Sequence, residues 1–213
     1  FINQKNLSLA NLSNSVKSIG FSSFSGCSSL ASISIPSSVI NIGSSAFRGC
    51  TKLTEINIPN SVISVGDDAF RDCTGIKKVQ LEDGANALSL GNVSSYSSAT
   101  QTMVYHGLFQ YCPLDTLYLG RNLTYNTENG MSPFENQKGL VNVTIGSQVS
   151  VINDFCFSGC SCISSIYVPG NVTIIGNDVF DGCTGITNVN IEKGTTALSL
   201  GYKNNTSKKN YYS

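Results

Sequence analysis

Charge is scarce in this chain: 12% of its 213 residues are Asp, Glu, Lys or Arg, and 13 basic side chains balance 13 acidic ones. No basic stripe exists to neutralise a phosphate backbone or an anionic lipid surface, so nucleic acid and membrane surfaces drop out as partners. Histidine is limited to His106. Nucleophilic triads and most acid–base sites would have to use it, yet no Ser-centred Gly-x-Ser-x-Gly elbow accompanies it, which weighs against an enzyme. Long apolar runs are missing too, and none approaches the roughly 18 residues of a membrane span. Neither an initiator methionine nor a signal peptide is visible, and Phe1 falls on a repeat landmark, so the chain reads as a piece of something longer. Serine, threonine and asparagine supply the polarity, giving a surface suited to neutral hydrogen bonding.

What is present is periodic. Phenylalanine recurs at positions 1, 24, 47 and 70, and again at 134, 157 and 180, in steps of 23 residues. Three residues after most of them comes a cysteine: Cys27, Cys50, Cys73, Cys160 and Cys183, with Cys112 at the same offset from Phe109. A fixed period in the twenties marks a solenoid, in which small units bury their apolar sides against one another. The run Leu53-x-x-Ile56-x-Ile58 ends in strict alternation and predicts a half-buried strand. Seven equivalent runs bring the array to eight units. Pro36, Pro59 or Pro169 then turns the chain out of the ladder. A second extended piece follows, Val-x-x-Ile-Gly, as in Val39 to Gly43. Its glycine is expected at positive φ, with Asn153 as the tolerated substitute. Ser44, Asp67, Asp154 and Asn177 read as N-caps of a single helical or 3₁₀ turn through Ala46 and Phe47 to Cys50. Stacking at about 4.8 Å per coil then predicts one buried column of Phe and another of Cys.

The full pattern, Val-x-x-Ile-Gly-x-x-Ala-Phe-x-x-Cys-x-x-Leu-x-x-Ile-x-Ile-Pro, resembles the BspA-type leucine-rich repeat family over nearly the whole chain. The resemblance implies a right-handed leucine-rich-repeat solenoid with a parallel sheet on one face and short strands or one-turn helices on the other. It also implies a secreted or surface-anchored protein, outside the cell or at its surface, with adhesion to matrix proteins or other cells. It brings no catalytic residues and no cofactor.

Departures from the period carry information as well. Between Leu81 and Phe109 the spacing lengthens by 16 residues. The stretch 84–91 (Gly-Ala-Asn-Ala-Leu-Ser-Leu-Gly) has a near copy at 194–201, and residues 61–91 and 171–201 share 16 identities in 31 positions. The array therefore has a second, longer period. One domain spans 1–213, with regular repeats over 1–83 and 147–193, irregular ones over 84–146 and the start of a second excursion over 194–213. The pieces Ala87–Leu90 and Leu117–Tyr125, the latter two strands about a Gly-Arg-Asn turn, are expected to form a lateral sheet or hairpins on one edge. The end at Ser213 is expected to fray.

Candidate chemistry is sparse. Six cysteines sit in the internal column, where reduced thiols acting as small hydrophobes are the favoured reading, because glutamine takes that place at Gln4 and Gln137. Cys156 and Cys162 lie off the column, and with Cys160 they lack the fourth ligand and paired spacing of a zinc site. Asp67, Asp68, Asp154 and Asp178 recur at the turn start, which fits capping better than calcium. Sequons begin at Asn92, Asn122, Asn142 and Asn171, among others, as expected by chance in so Ser/Asn-rich a chain.

Binding is assigned to the outward residues of the first strand. One row runs Asn11, Ser34, Asn57, Gln80, Tyr118, Thr144, Tyr167 and Asn190, beside Ser32, Glu55, Lys78, Thr116, Asn142, Ser165 and Asn188. The candidate ligand-binding residues are Asn57, Gln80, Tyr118, Thr144, Tyr167 and Asn190, with Tyr118 and Tyr167 as exposed anchors. The expected partner is an extracellular protein or a glycan, met by a monomer that does not insert into membranes. A spacer holding another domain away from the cell is the alternative.

Overall fold

The structure is a computed structural model and describes residues 1–99, 101–127 and 132–201. Eighteen short strands follow one another among the described residues. The first are β1 (Leu9–Asn11), β2 (Ser18–Ile19), β3 (Ser32–Ser34), β4 (Asn41–Ile42), β5 (Glu55–Ile58), β6 (Ser64–Val65), β7 (Lys78–Leu81) and β8 (Leu88–Leu90). Then come β9 (Asn92–Ser97), β10 (Thr102–Gly107), β11 (Thr116–Leu119), β12 (Leu123–Thr124) and β13 (Asn142–Ile145). The last are β14 (Val151–Ile152), β15 (Ser165–Val168), β16 (Ile174–Ile175), β17 (Asn188–Ile191) and β18 (Ser199–Leu200).

These strands build a parallel solenoid of about eight coils. On the first face β5, β7, β11 and β13 form one ladder, with β1–β3 and β15–β17 as separate pairs before and after it. Alternation decides the facing: Ile56 and Ile58 of β5 are 1% and 0% exposed, while Glu55 and Asn57 between them point to solvent. The second face carries β2–β4–β6–β8–β12 and then β14–β16–β18.

A third face closes each coil without a helix. The N–H groups of Ser45, Phe47 and Gly49 donate to Asp67, Ala69 and Arg71 carbonyls of the next coil at 2.8, 2.9 and 2.8 Å. Ala46, Arg48 and Cys50 in between close turns within their own coil. Ser45 (φ 56) and Gly49 (φ 73) are left-handed, and the pair recurs at Ser22/Gly26, Asp68/Asp72, Phe155/Gly159 and Asp178/Gly182. Left-handed residues four apart interrupt any α-helical run, so the expected helical turn does not form. Gly43 and Gly66 are not at positive φ either. Each is glycine because a Cβ would lie 2.8 Å from the Gly20 carbonyl carbon or 2.6 Å from Ser44 N. Asn153 replaces this glycine by sending its Nδ2 to the Leu123 carbonyl at 2.7 Å. The expected N-caps bond between coils instead: Asp67 accepts from Asn92 N at 2.8 Å and Asp154 from Asn177 N at 2.7 Å.

Eight phenylalanines stack from Phe1 to Phe180, with neighbouring centroids from 5.3 Å (Phe70–Phe109) to 6.1 Å (Phe134–Phe157). That lies within the offset-stacked range, and Phe47, Phe70, Phe109, Phe134 and Phe157 are fully buried. The cysteine column has a polar purpose beyond filling space. Cys50 Sγ donates to the Phe24 carbonyl at 3.2 Å, Cys73 to Phe47 at 3.0 Å, Cys160 to Phe134 at 3.1 Å and Cys183 to Phe157 at 3.0 Å. Gln137 performs the same task through Nε2, 2.7 Å from the Phe109 carbonyl. The column therefore selects a donor, not a thiol. All eight cysteines are free. Burial pushes Cys50 up to about 12, helped by Cys27, and takes Cys112 and Cys160 to about 12 as well, so these thiols keep the proton they donate.

Among the described residues, Ala87–Leu90 and Leu117–Tyr125 do not form the expected lateral sheet or hairpins. β8 and β12 are ordinary rungs of the second face, with Leu123 opposite Leu88 and Val65 opposite Leu90. Among the described residues, β9 and β10 are the strands that leave the coil, as an antiparallel hairpin from Asn92 opposite Gly107 to Ser97 opposite Thr102. The widened turn after β7 admits Arg121, which is fully buried. Its guanidinium donates to the carbonyls of Ile58, Pro59, Asn60 and Val62 at 3.5, 2.8, 3.0 and 2.7 Å. Between β12 and β14 the second face is interrupted, and Asn122 Oδ1 accepts from Ser150 N (2.9 Å) and Val151 N (3.0 Å) in place of a backbone rung. The second excursion expected over 194–213 begins with β18 paired to β16, as β8 is to β6; residues 202–213 and their expected fraying lie outside the described residues.

Candidate binding face

The alternation that buries Ile56 and Ile58 leaves two parallel rows on the first face. Asn57 stands opposite Gln80, Gln80 opposite Tyr118 and Tyr118 opposite Thr144 in one ladder, while Tyr167 stands opposite Asn190 in the next pair. Glu55, Lys78, Thr116 and Asn142 keep the same register beside them. The six candidate residues thus share one face, divided between two sheets.

Carboxylates placed just after the strands organise this face. Glu82 accepts from Asn57 Nδ2 at 2.7 Å and from Asn60 N at 3.2 Å. Its counterpart in the second copy, Glu192, accepts from Gly170 N at 2.9 Å and bonds the Tyr167 hydroxyl. Both bonds favour the charged form, so Glu192 titrates below its ordinary range, first because of Gly170 and then Tyr167. Asp83 takes the Tyr118 hydroxyl at 2.7 Å and raises the tyrosine pKa. The two tyrosines are not equivalent anchors. Tyr167 is 48% exposed, whereas Tyr118 is half-buried with its polar tip engaged. The carboxylate tethers were not read from sequence, since Asp83 and Tyr118 are 35 residues apart; the recurrence of Glu82 as Glu192 in the copied stretch was the available signal.

Other candidates fall away from this face. His106 lies in β10, edge-on to Tyr111 at 6.0 Å, and burial with the nearby Arg71 charge lowers its pKa. Cys156 is buried, with its pKa raised to about 12 by burial, and Cys162 is exposed. Among the described residues no three His, Cys, Asp or Glu side chains converge as a metal site would require. No helix among them is long and apolar enough to cross a membrane. The amides of Asn122 and Asn171 are spent on bonds to Ser150 Oγ and the Val149 carbonyl.

The BspA type Leucine rich repeat region family matches residues 1–124 and 92–209, in six copies. No curated protein matches the chain. Among solved structures, a leucine-rich repeat protein from Bacteroides ovatus is similar at 27% identity and a TM-score of 0.58, over 94% of this chain and 49% of that one. This chain therefore spans about half the length of that protein. A T. pallidum leucine rich repeat protein aligns at 22% identity and a TM-score of 0.49, over 91% of this chain and 73% of its own. A leucine rich cell surface protein from Faecalibacterium prausnitzii aligns at 22% and 0.38, over 94% and 61%.

Proposed function

The chain belongs to the BspA type leucine-rich repeat family, and from that premise we propose that it is a non-enzymatic recognition module, outside the cell or at its surface, that binds an extracellular protein across its first sheet face. The carrying observation is the neutral, in-register row from Asn57 to Thr144, continued by Tyr167 and Asn190, beside a row whose charges, Glu55 and Lys78, pair with each other at 3.6 Å. Such a surface offers shape and hydrogen bonds without the charge that draws non-specific partners. Tyr167, the more exposed tyrosine, is its anchor, with Asn190 and Thr144 to either side. The Tyr167→Ala/Asn190→Ala variant, assayed beside the unaltered chain against a panel of matrix proteins and a glycan array, is expected to lose the protein that the parent captures. Retention of that protein, or capture of glycans alone, overturns the reading.

A scaffold role is favoured by a different observation. Asn57, Tyr118 and Tyr167 spend their polar tips on Glu82, Asp83 and Glu192, so part of the face is satisfied internally. A spacer needs such a face and no ligand, and it predicts that neither panel yields a partner.

A further inference from the structure

Residues 61–91 and 171–201 are copies of one stretch, yet they differ in what lies above them. In the first copy Val79, Leu81 and Leu90 are 0%, 0% and 4% exposed, with the coil of β11 and β12 stacked on them. Their counterparts Val189, Ile191 and Leu200 are 54%, 45% and 63% exposed. A polar feature repeats with this apolar one. In regular coils the carbonyl of the second-face valine is capped from the next coil: Ser38 Oγ on Val16, Ser61 Oγ on Val39, Asn171 Nδ2 on Val149. After Val62 the next coil has the widened Glu82-Asp83-Gly84 turn, and the cap arrives from one coil further on, as Arg121. The coil after Val172 has the same widened turn, Glu192-Lys193-Gly194.

We propose that the exposed end over β17 and β18 is a docking site for a repeat coil that follows in the same chain direction and presents arginine between its two strands, as Gly120-Arg121-Asn122 does between β11 and β12. The guanidinium is taken up by the carbonyls of Val168, Pro169, Gly170 and Val172, the counterparts of the four that hold Arg121. That turn is already set. Val172 N donates to the Pro169 carbonyl at 3.0 Å, as Val62 N does to Pro59 at 3.0 Å, and Glu192 clamps Gly170 N as Glu82 clamps Asn60 N. Arginine is specified because its planar fork reaches several carbonyls at once, which a lysine ammonium cannot. Gly194 lies against Gly170 as Gly84 lies against Asn60, its counterpart, and Gly84 has the Arg121 side chain beside it as well. Docking therefore brings the arginine side chain next to Gly194.

The test appends residues 92–127 of this chain after Gly201, in place of 202–213, and follows amide hydrogen exchange. The arginine version is expected to slow exchange in β17 and β18 by about tenfold or more and to shift the Gly194 amide resonance. The counterpart with methionine at the arginine position is expected to lose the Gly194 shift and most of the protection. Unchanged exchange in the arginine version, equal protection by the methionine version, or an appended coil that does not fold onto the end each overturns the proposal.

Discussion

The regular coils around Phe24, Phe47 and Phe70 are joined by short donors, whereas the irregular region that follows relies on long ones as well. Between the regular coils Ser61 Oγ reaches the Val39 carbonyl at 2.7 Å and Cys50 Sγ reaches Phe24 at 3.2 Å, across 22 and 26 residues of sequence. In the irregular region Arg121 reaches back 59 to 63 residues, Gln137 takes over from cysteine, and Asn122 and Asn153 stand in for a missing strand rung. The same carbonyls are satisfied in both regions. When the turn widens, the small donor no longer reaches, and leaving a buried carbonyl unpaired would cost about 1–3 kcal/mol; a longer side chain supplies the bond instead. The repeat therefore specifies points of hydrogen bonding between coils more strictly than it specifies residues.

The comparison can be broken most forcefully from the regular side. Phe47→Ala removes the centre of the ring stack and is expected to destabilise the chain by about 3–5 kcal/mol, read as a lowered urea midpoint. In the irregular region Arg121→Met keeps the bulk but forfeits charge-assisted bonds to four carbonyls. It is expected to cost about 3 kcal/mol, and Arg121→Lys should recover little of it. Equal stability of the methionine variant would mean that the guanidinium only fills space. A sharper probe is Gln137. Gln137→Ala should cost about 1–3 kcal/mol by stranding the Phe109 carbonyl, while Gln137→Cys should be the milder change if a donor is what the column requires.

The smallest effect expected concerns the hairpin. Burial and then Arg71 lower the His106 pKa, so the fold favours the neutral ring. Its contribution is complete above the ordinary histidine pKa near about 6.5 and is lost as pH falls from there toward the lowered value. A ring titration by NMR should place the midpoint below the ordinary one, and Arg71→Gln should move it upward.

Much of the architecture was legible beforehand because a stack repeats environments. Phe47 and Phe70 recur at one interval because they share a column, and Leu53-x-x-Ile56-x-Ile58 alternates because one side of β5 is wet. The outward rows of the candidate face followed from the same alternation. Less legible were features set by distance in space. Gly43 looked like a positive-φ residue, but the neighbouring coil simply leaves no room for a Cβ. Ser44 and Asp67 looked like helix caps, yet the positive φ of Ser45 and Asp68 rules the helix out. Ala87–Leu90 looked like part of a side sheet, and its residues Leu88–Leu90 are a rung beside β6.

Sequence alone determined the coil, its period, its two columns and the side chains that face water, because each depends on which positions share a local environment. Tertiary structure alone decided that thiols and Gln137 cap phenylalanine carbonyls, that Arg121 lies buried beneath a turn two coils back, and that Tyr118 gives its hydroxyl to Asp83. Those bonds join residues tens of positions apart, and their partners are set by how coils of unequal length come into register, which no local pattern encodes.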